Sequence, residues 1–67
     1  MNLLQLALKI DARRDNWRVV TVPRRGKYLY HVESCAAWSA EGRRLPDAAA
    51  FQLAFSYAVI KEYSKPL

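Results

Sequence analysis

The sequence predicts a small α+β domain: a three-stranded antiparallel meander with a long C-terminal helix packed on one face and a short N-terminal helix. Three observations lead to this prediction. The chain is long enough for a single small domain, residues 1–67. Two runs of β-branched and aromatic residues flank a turn signal at residues 24–26. An alanine-rich apolar segment, residues 46–63, has helical spacing and starts with Pro46 and Asp47.

The N-terminal segment LLQLALKI, residues 3–10, is compatible with two structures. Its apolar residues alternate as they do in a strand, yet Leu, Ala, Gln and Lys are strong helix formers. Asn2 is a suitable N-cap for a helix that starts here. The composition favours a short helix and leaves an extra strand as the alternative.

The middle of the chain predicts the strands of the meander. WRVVTV, residues 17–22, is rich in β-branched residues, and Pro23 ends it because proline donates no ladder hydrogen bond. Gly26 provides a positive φ for the turn that follows. KYLYHVES, residues 27–34, alternates in the way that a second strand does. Residues 35–45 form either one face of a third strand or a helical turn.

The predicted C-terminal helix is apolar around much of its circumference, more than one small sheet requires. Pro66 prevents its continuation. Two explanations of the surplus remain open: the N-terminal helix covers it, or a second copy of the chain or another protein does. A homodimer through the C-terminal helix is therefore one expected arrangement.

The charge of the chain predicts acidic partners. Eleven Lys and Arg against six Asp and Glu give a net charge of +5, which favours nucleic acid, duplex or single strand, or a nucleic-acid-handling protein complex. Alternate connections of a meander share one end of the sheet. The turn after the first strand should therefore meet the start of the final helix, whose N-terminus attracts phosphate. The candidate binding residues are Arg24, Arg25, Lys27, Arg43 and Arg44.

The same cations have an alternative interpretation: they are solvated side chains of loops, and they keep an apolar domain in solution. The four aromatic residues of the predicted strands also have two interpretations, as core residues or as platforms on which unpaired bases stack. These four residues are Trp17, Tyr28, Tyr30 and Trp38.

The remaining residues indicate no catalytic or metal chemistry. Cys35 is the single cysteine, so it forms no internal disulfide, and we expect a small buried apolar residue in a reducing cytoplasm. No Cys/His set has zinc spacing, and we expect no metal and no cofactor. No carboxylate pair, Ser–His set or phosphate-binding loop is recognisable, so no enzyme activity is expected. His31 is expected to be a strand histidine with satisfied hydrogen bonds.

The apolar run near the N-terminus does not resemble a targeting or membrane segment. Its basic residues follow the run instead of preceding it, and it is far shorter than a membrane span. We expect a soluble, cytoplasmic protein with no membrane partner.

The whole-chain order resembles double-stranded-RNA-binding domains, which also run helix, three strands, helix. The resemblance rests on LLQLALKIDARRDNWRVV, at the place of the first helix and strand, and on SAEGRRLPDAAAFQLAF, at the entry to the second helix. Where that family has a lysine cluster, this chain has Leu45, Pro46 and Asp47 after Arg43 and Arg44. PRRGK stands where the family has a histidine in the first hairpin turn. The resemblance therefore implies the topology.

Two further resemblances concern partners. RDNW, RGKY and a helix that opens after proline resemble the bacterial cell-division activator CedA, a small protein associated with DNA and RNA polymerase. Short basic chains of this build also resemble phage and mobile-element proteins that occlude a host polymerase or CRISPR complex. Two hypotheses follow. The first is a non-enzymatic protein that binds nucleic-acid backbone through an arginine-rich end, and the second is a phage-type inhibitor or accessory factor of a nucleic-acid machine.

Overall fold

The computed structural model describes residues 2–67 as a four-stranded antiparallel sheet with one helix on each face. The strand order is β3-β2-β1-β4. The predicted α+β class and the meander of the first three strands are confirmed, but the sheet has a fourth strand and the final helix is short. The elements are α1 (Leu3–Ile10), β1 (Trp17–Val22), β2 (Gly26–His31), β3 (Ala37–Ser39), α2 (Asp47–Leu53) and β4 (Ser64–Pro66), with a 3₁₀ turn at Arg14–Asn16 and a π-helical segment at Ala54–Ala58.

Helix α1 forms where the composition favoured it, and its N-terminus is capped by side chains. The backbone N–H of Gln5 donates to Asn2 Oδ1 at 2.8 Å, and the backbone N–H of Asn2 donates to Gln5 Oε1 at 3.3 Å. This reciprocal capping box satisfies two N–H groups that the first turn leaves free. The predicted cap at Asn2 is confirmed.

The two sides of the sheet have separate cores. On the side that we call the α1 face, Ala7 packs with Trp17 and Leu29. On the opposite side, the α2 face, the core consists of Val20, Val22, Ala37, Ala50 and Leu53. Alternate side chains of a strand point to opposite faces, so β1 and β2 contribute to both cores. Because the helices lie on opposite faces, α1 does not cover the surplus apolar surface of α2.

Helical structure continues through the π-helical segment to Ala58 and the chain then returns to the sheet, so the helix predicted over residues 46–63 is wrong beyond Ala58. Strand β4 pairs with the free edge of β1, which would otherwise expose unpaired backbone groups. The backbone N–H of Thr21 donates to Tyr63 O at 2.8 Å. Arg18 fixes the strand through Ser64, with Nε donating to Oγ at 2.7 Å and Nη2 to the carbonyl at 3.0 Å.

Candidate functional site

One end of the sheet gathers cationic side chains from three connections. Strand β1 ends there at Val22. Because the strands are antiparallel, the same end contains three connections: the β1–β2 turn, the reversal that follows β3, and the segment that leads into β4. Five exposed cations are opposed there by two carboxylates, Glu41 and Glu62. We call this region the cationic end, and its cations are Arg24, Arg25, Lys27, Arg43 and Lys61.

The opposite end of the sheet, where β1 starts at Trp17, has balanced charge. Residues 9–16 and 32–34 together contain three cations and three carboxylates. Arg13 also has a local partner, since its Nη1 lies 3.9 Å from Glu33 Oε2. The excess positive charge of the chain is therefore concentrated away from this end.

The β1–β2 turn presents Arg24 on a strained backbone. The N–H of Arg25 donates to Val22 O at 3.0 Å, which closes a β-turn with Pro23 and Arg24 at its central positions. Arg24 has φ of 69° and Gly26 has φ of 109°. A positive φ at the third position of a β-turn normally selects glycine, so arginine costs roughly 1 kcal/mol there. The positive φ expected at Gly26 is confirmed, and an exposed, strained arginine precedes it.

The second arginine doublet divides between the two faces. After the reversal, the chain runs back along β3, and the N–H of Ser39 donates to Arg43 O at 2.8 Å. Cζ of Arg44 lies 5.9 Å from the ring centroid of Trp38 on the α1 face, whereas Leu45 packs against the core of the α2 face. Because side chains alternate along an extended segment, Arg43 and Arg44 point to opposite faces. Strands β2 and β3 also separate this doublet from the β1–β2 turn.

The N-terminus of α2 lies away from the cationic end. The N–H of Leu45 donates to Ala37 O at 2.9 Å, so the returning chain is already beside the first residue of β3 when the helix starts at Asp47. Asp47 lines a groove with Tyr30 and Ser34, next to the β2–β3 loop. The expectation that the turn after the first strand meets the start of the final helix is therefore wrong, because the chain reverses before the helix starts.

Strand β4 adds a cation that the sequence did not indicate. Lys65 pairs with Val19, and Lys27 pairs with Thr21. Paired residues share a face, and Val19 belongs to the core of the α1 face, so both lysines project on that face together with Arg44. We call Lys27, Arg44 and Lys65 the cationic triangle. A strand of three residues has no periodicity, so the sequence contained no signal for Lys65.

The balanced end contains a polar array that the sequence did not indicate either. His31 Nδ1 lies 2.7 Å from Ser34 Oγ, and His31 Nε2 lies 2.7 Å from Asp11 Oδ2. The expectation that the chain lacks a Ser–His set is thus wrong as geometry, because the fold brings Asp11 to the β2–β3 loop. Hydrogen bonds from Asn16, from His31 and from the backbone of Arg13 hold the pKa of Asp11 well below its usual range.

This array lacks the surroundings that serine catalysis needs. An oxyanion requires free N–H donors close to the nucleophile. The N–H of Cys35 donates to His31 O at 2.8 Å, and the N–H of Ala36 lies 3.4 Å from Ser34 Oγ. The nearest donors are therefore engaged within the loop. His31 is 8% exposed and is the satisfied histidine that was expected.

Cys35 is exposed, so the expectation of a buried apolar cysteine is wrong. Its backbone has φ of 62°, and its thiol donates to Val32 O, with the sulfur 3.9 Å from the oxygen. Burial raises the pKa of the neighbouring Tyr30 to about 12, and a hydrogen bond with the Cys35 thiol contributes to this shift. The Tyr30 hydroxyl is therefore protonated at neutral pH.

The strand aromatics serve the core. Trp17 is 1% exposed and packs against His31 and Trp38, with ring centroids 4.7 and 5.4 Å away. Tyr28 and Tyr30 are half-buried against the core of the α2 face. Of the two interpretations of these residues, the structure favours the core.

Comparisons with known proteins provide no template for the site. No family model, curated protein or solved structure matches the chain. Among residues 2–67, no group of three or more His, Cys, Asp or Glu side chains is arranged to hold a metal ion. Within the same range, the helices are too short or too polar to cross a membrane.

Proposed function

We propose that the protein is a non-enzymatic module that binds the sugar–phosphate backbone of nucleic acid through its cationic end and cationic triangle. One observation carries the proposal: the excess positive charge lies at one end of the sheet, whereas the other end is balanced. Such an asymmetric field orients an approaching polyanion before contact. Each phosphate contact would release a counterion, so the affinity should decrease steeply with salt.

The spacing of the cationic triangle supports a duplex as the ligand. Lys65 and Arg44 are each two strand positions across the sheet from Leu29, on opposite sides of it. Lys27 is two residues before Leu29 along β2, so its offset from Lys65 equals its offset from Arg44. With strands about 4.8 Å apart and a rise of about 3.3 Å per residue, each separation is roughly 12 Å. This is about the width of the major groove of B-DNA, so the side chains can reach phosphates on both of its sides. Such contacts position the protein without reading sequence.

The location of the aromatic residues also favours a duplex over a single strand. Proteins that bind single strands stack bases on exposed aromatic rings within a basic groove. Trp17 is in the core, and the ring of Trp38 is half-buried beside Arg44. The exposed rings of Phe51 and Phe55 line a groove whose other residues include no cation. The cationic residues thus lack the stacking partners that a single strand would use.

A salt titration with matched variants tests the proposal. Arg24→Gln/Lys27→Gln removes two cations from the cationic end, and Lys9→Gln/Arg13→Gln removes two from the balanced end. With about five phosphate contacts, the slope of log K against log salt should be about −4.5, and the first variant should bring it to about −2.7. Fluorescence anisotropy with a labelled duplex of mixed sequence gives the affinity, which we expect to decrease roughly 50-fold at 0.1 M salt in this variant.

The control variant decides what a loss of affinity means. Both variants change the net charge by the same amount, and all four side chains are exposed. We expect the Lys9→Gln/Arg13→Gln slope to match that of the parent chain. Equal losses in both variants would show that net charge alone attracts DNA, and no binding by the parent chain at 20 mM salt would reject the proposal.

A second candidate function is occlusion of a nucleic-acid-handling protein complex, in the manner of a phage-type inhibitor. The observation that favours it is the arginine content of the exposed turns, since the guanidinium fork of Arg24 or Arg43 binds carboxylates as well as phosphates. It predicts no duplex binding at low salt, together with loss of partner binding in the same Arg24→Gln/Lys27→Gln variant.

A further inference from the structure

The outer side of α2 and of the π-helical segment exposes large apolar side chains. Phe51 is 64% exposed, Phe55 66% and Val59 75%. The two phenylalanine rings contact each other, with centroids 4.6 Å apart. All three residues line one groove, and we call them the apolar stripe.

Nothing within residues 2–67 covers the apolar stripe. The side of α2 that contacts the sheet is formed by Ala50 and Leu53, and α1 lies on the opposite face. Beside the stripe runs an open groove whose far wall is formed by Tyr30, Ser34 and Cys35. The groove is on the side of α2 that faces away from Arg25, which instead lines the groove on the other side of the helix. The stripe and Arg25 are therefore on different sides of the helix.

The chain exposes more surface than a folded monomer of its mass is expected to expose. A folded monomer of 7.7 kDa is expected to expose about 4300 Å². This chain exposes 4829 Å². The excess, roughly 500 Å² of total surface, equals what one partner contributes to an interface of about 1000 Å².

We propose that the apolar stripe is covered by a second copy of this chain, in a two-fold symmetric dimer with antiparallel α2 helices. The stripe suits such an arrangement because Phe55 is its middle residue, four positions from both Phe51 and Val59. A two-fold axis through Phe55 places Phe51 of each copy opposite Val59 of the other, and the two Phe55 rings meet at the axis. The area, at the lower limit of specific interfaces, is expected to give dissociation constants in the micromolar range.

The charges around the stripe are compatible with this dimer. Asp47 lies at one end of the row and Lys61 at the other, so the antiparallel arrangement places opposite charges near each other. Glu62 follows Lys61 and weakens this attraction, so the apolar area decides the affinity. Arg25 lines the groove on the other side of the helix and so does not face the contact, which limits the repulsion between two chains of net charge +5.

Sedimentation equilibrium from 2 to 500 µM, in the absence of nucleic acid, tests the dimer. We expect the apparent mass to rise from one chain to two, and Phe55→Glu to remain monomeric because it would place two buried carboxylates at the axis. Ile10→Glu is the matched control: Ile10 is also an exposed apolar residue, at 45%, but belongs to α1. Far-UV circular dichroism checks that both variants are folded. We expect them to be, because both replaced side chains are exposed.

The thiol of Cys35 provides a second readout, because it lines the same groove. Its rate of reaction with an aromatic disulfide reagent should decrease at least threefold between 5 and 500 µM protein, and should be independent of concentration in Phe55→Glu. A parent chain that stays monomeric at 500 µM would overturn the proposal, as would a dimer that Ile10→Glu dissociates and Phe55→Glu does not. Since no nucleic acid is present, failure here is distinguishable from failure of the proposed function.

Discussion

The two faces of the sheet hold their helices in different ways. On the α1 face the sheet provides large side chains, Trp17 and Leu29, and the helix provides the small Ala7, so the large residues are inside. On the α2 face the helix contributes Ala50 and Leu53 to the core, whereas Phe51 of α2 and Phe55 of the π-helical segment are exposed. The bulkiest buried side chain, Trp17, thus lies under α1, whereas the outer side of α2 and of the π-helical segment exposes two phenylalanine rings.

Polar contacts add to this difference. The end of α1 is attached to the sheet by Trp17 Nε1, which donates to Asp11 O at 2.9 Å, and by the Asp11 carboxylate, which bonds His31. Helix α2 starts at Pro46 without a side-chain cap. Stability should therefore depend mainly on the α1 face, whereas the outer side of α2 is available for association.

The largest expected effect is the contrast between Trp17→Ala and Phe51→Ala. Removing a fully buried aromatic side chain costs about 3–5 kcal/mol, which is comparable to the whole stability of a small domain, so Trp17→Ala should be largely unfolded. Phe51→Ala removes a mostly exposed ring and should change the free energy of unfolding by less than about 0.5 kcal/mol. Urea titration at 1–2 µM protein, below the expected range of dimerisation, measures both.

Trp17→Phe is the control for this contrast, since it retains a ring in the core and should lie between the two variants. Phe51→Ala should instead weaken self-association at high concentration. If Phe51→Ala were as destabilising as Trp17→Ala at 1–2 µM, the outer side of α2 would belong to the core of the monomer, and the comparison of the two faces would not hold.

The polar attachment of α1 predicts a pH dependence through Asp11. Its pKa is lowered in the folded state, so an unfolded chain takes up this proton at a higher pH than the folded chain does. The carboxylate therefore stabilises the fold above the ordinary Asp pKa of about 4, and this contribution is lost as the pH decreases below that value. Asp11→Asn should be less stable than the parent at pH 7, and the difference should shrink toward pH 3.

Thermal unfolding of both chains between pH 3 and 7 measures this effect. Contributions from the other carboxylates cancel in the comparison. Glu41→Gln, on an exposed turn at the cationic end, controls for the loss of one negative charge. A difference between Asp11→Asn and the parent that stays constant over this range would contradict the role assigned to the Asp11 carboxylate.

Local signals in the sequence predicted the elements that depend on local interactions. Strand β1 has the predicted bounds, Asn2 caps α1, and the first hairpin turns before Gly26. Strand β4 was not predicted, because three residues at the end of a predicted helix contain no local signal that distinguishes a strand from a helix end. Its position is decided by the free edge of β1, which is a non-local partner.

The candidate site was predictable to a similar extent. Antiparallel pairing alone places Arg24 and the residues after β3 at one end of the sheet. The division of Arg43 and Arg44 between the two faces was not predictable. It follows from the reversal of the chain after β3, and Gly42 alone did not indicate that the chain would run back along that strand. Lys65 lies on the same face as Lys27 and Arg44 because β4 pairs with β1, and the sequence did not indicate this strand.

The smallest expected effect concerns the cationic end, where neither helix contributes and the backbone of Arg24 has a positive φ. Arg24→Gly should relieve this strain and, after the entropy that glycine adds to the unfolded chain, raise the free energy of unfolding by about 0.5 kcal/mol. Arg25→Gly removes the same charge from the same turn without relieving a positive φ, so it should lower stability by about 0.5–1 kcal/mol.

Duplex binding should weaken equally in both variants, and the slope of log K against log salt should become less negative by about 0.9 in each. Stability and binding that change together in the two variants would mean that strain at Arg24 has no separate role. Urea titration and the anisotropy assay on both variants distinguish these outcomes.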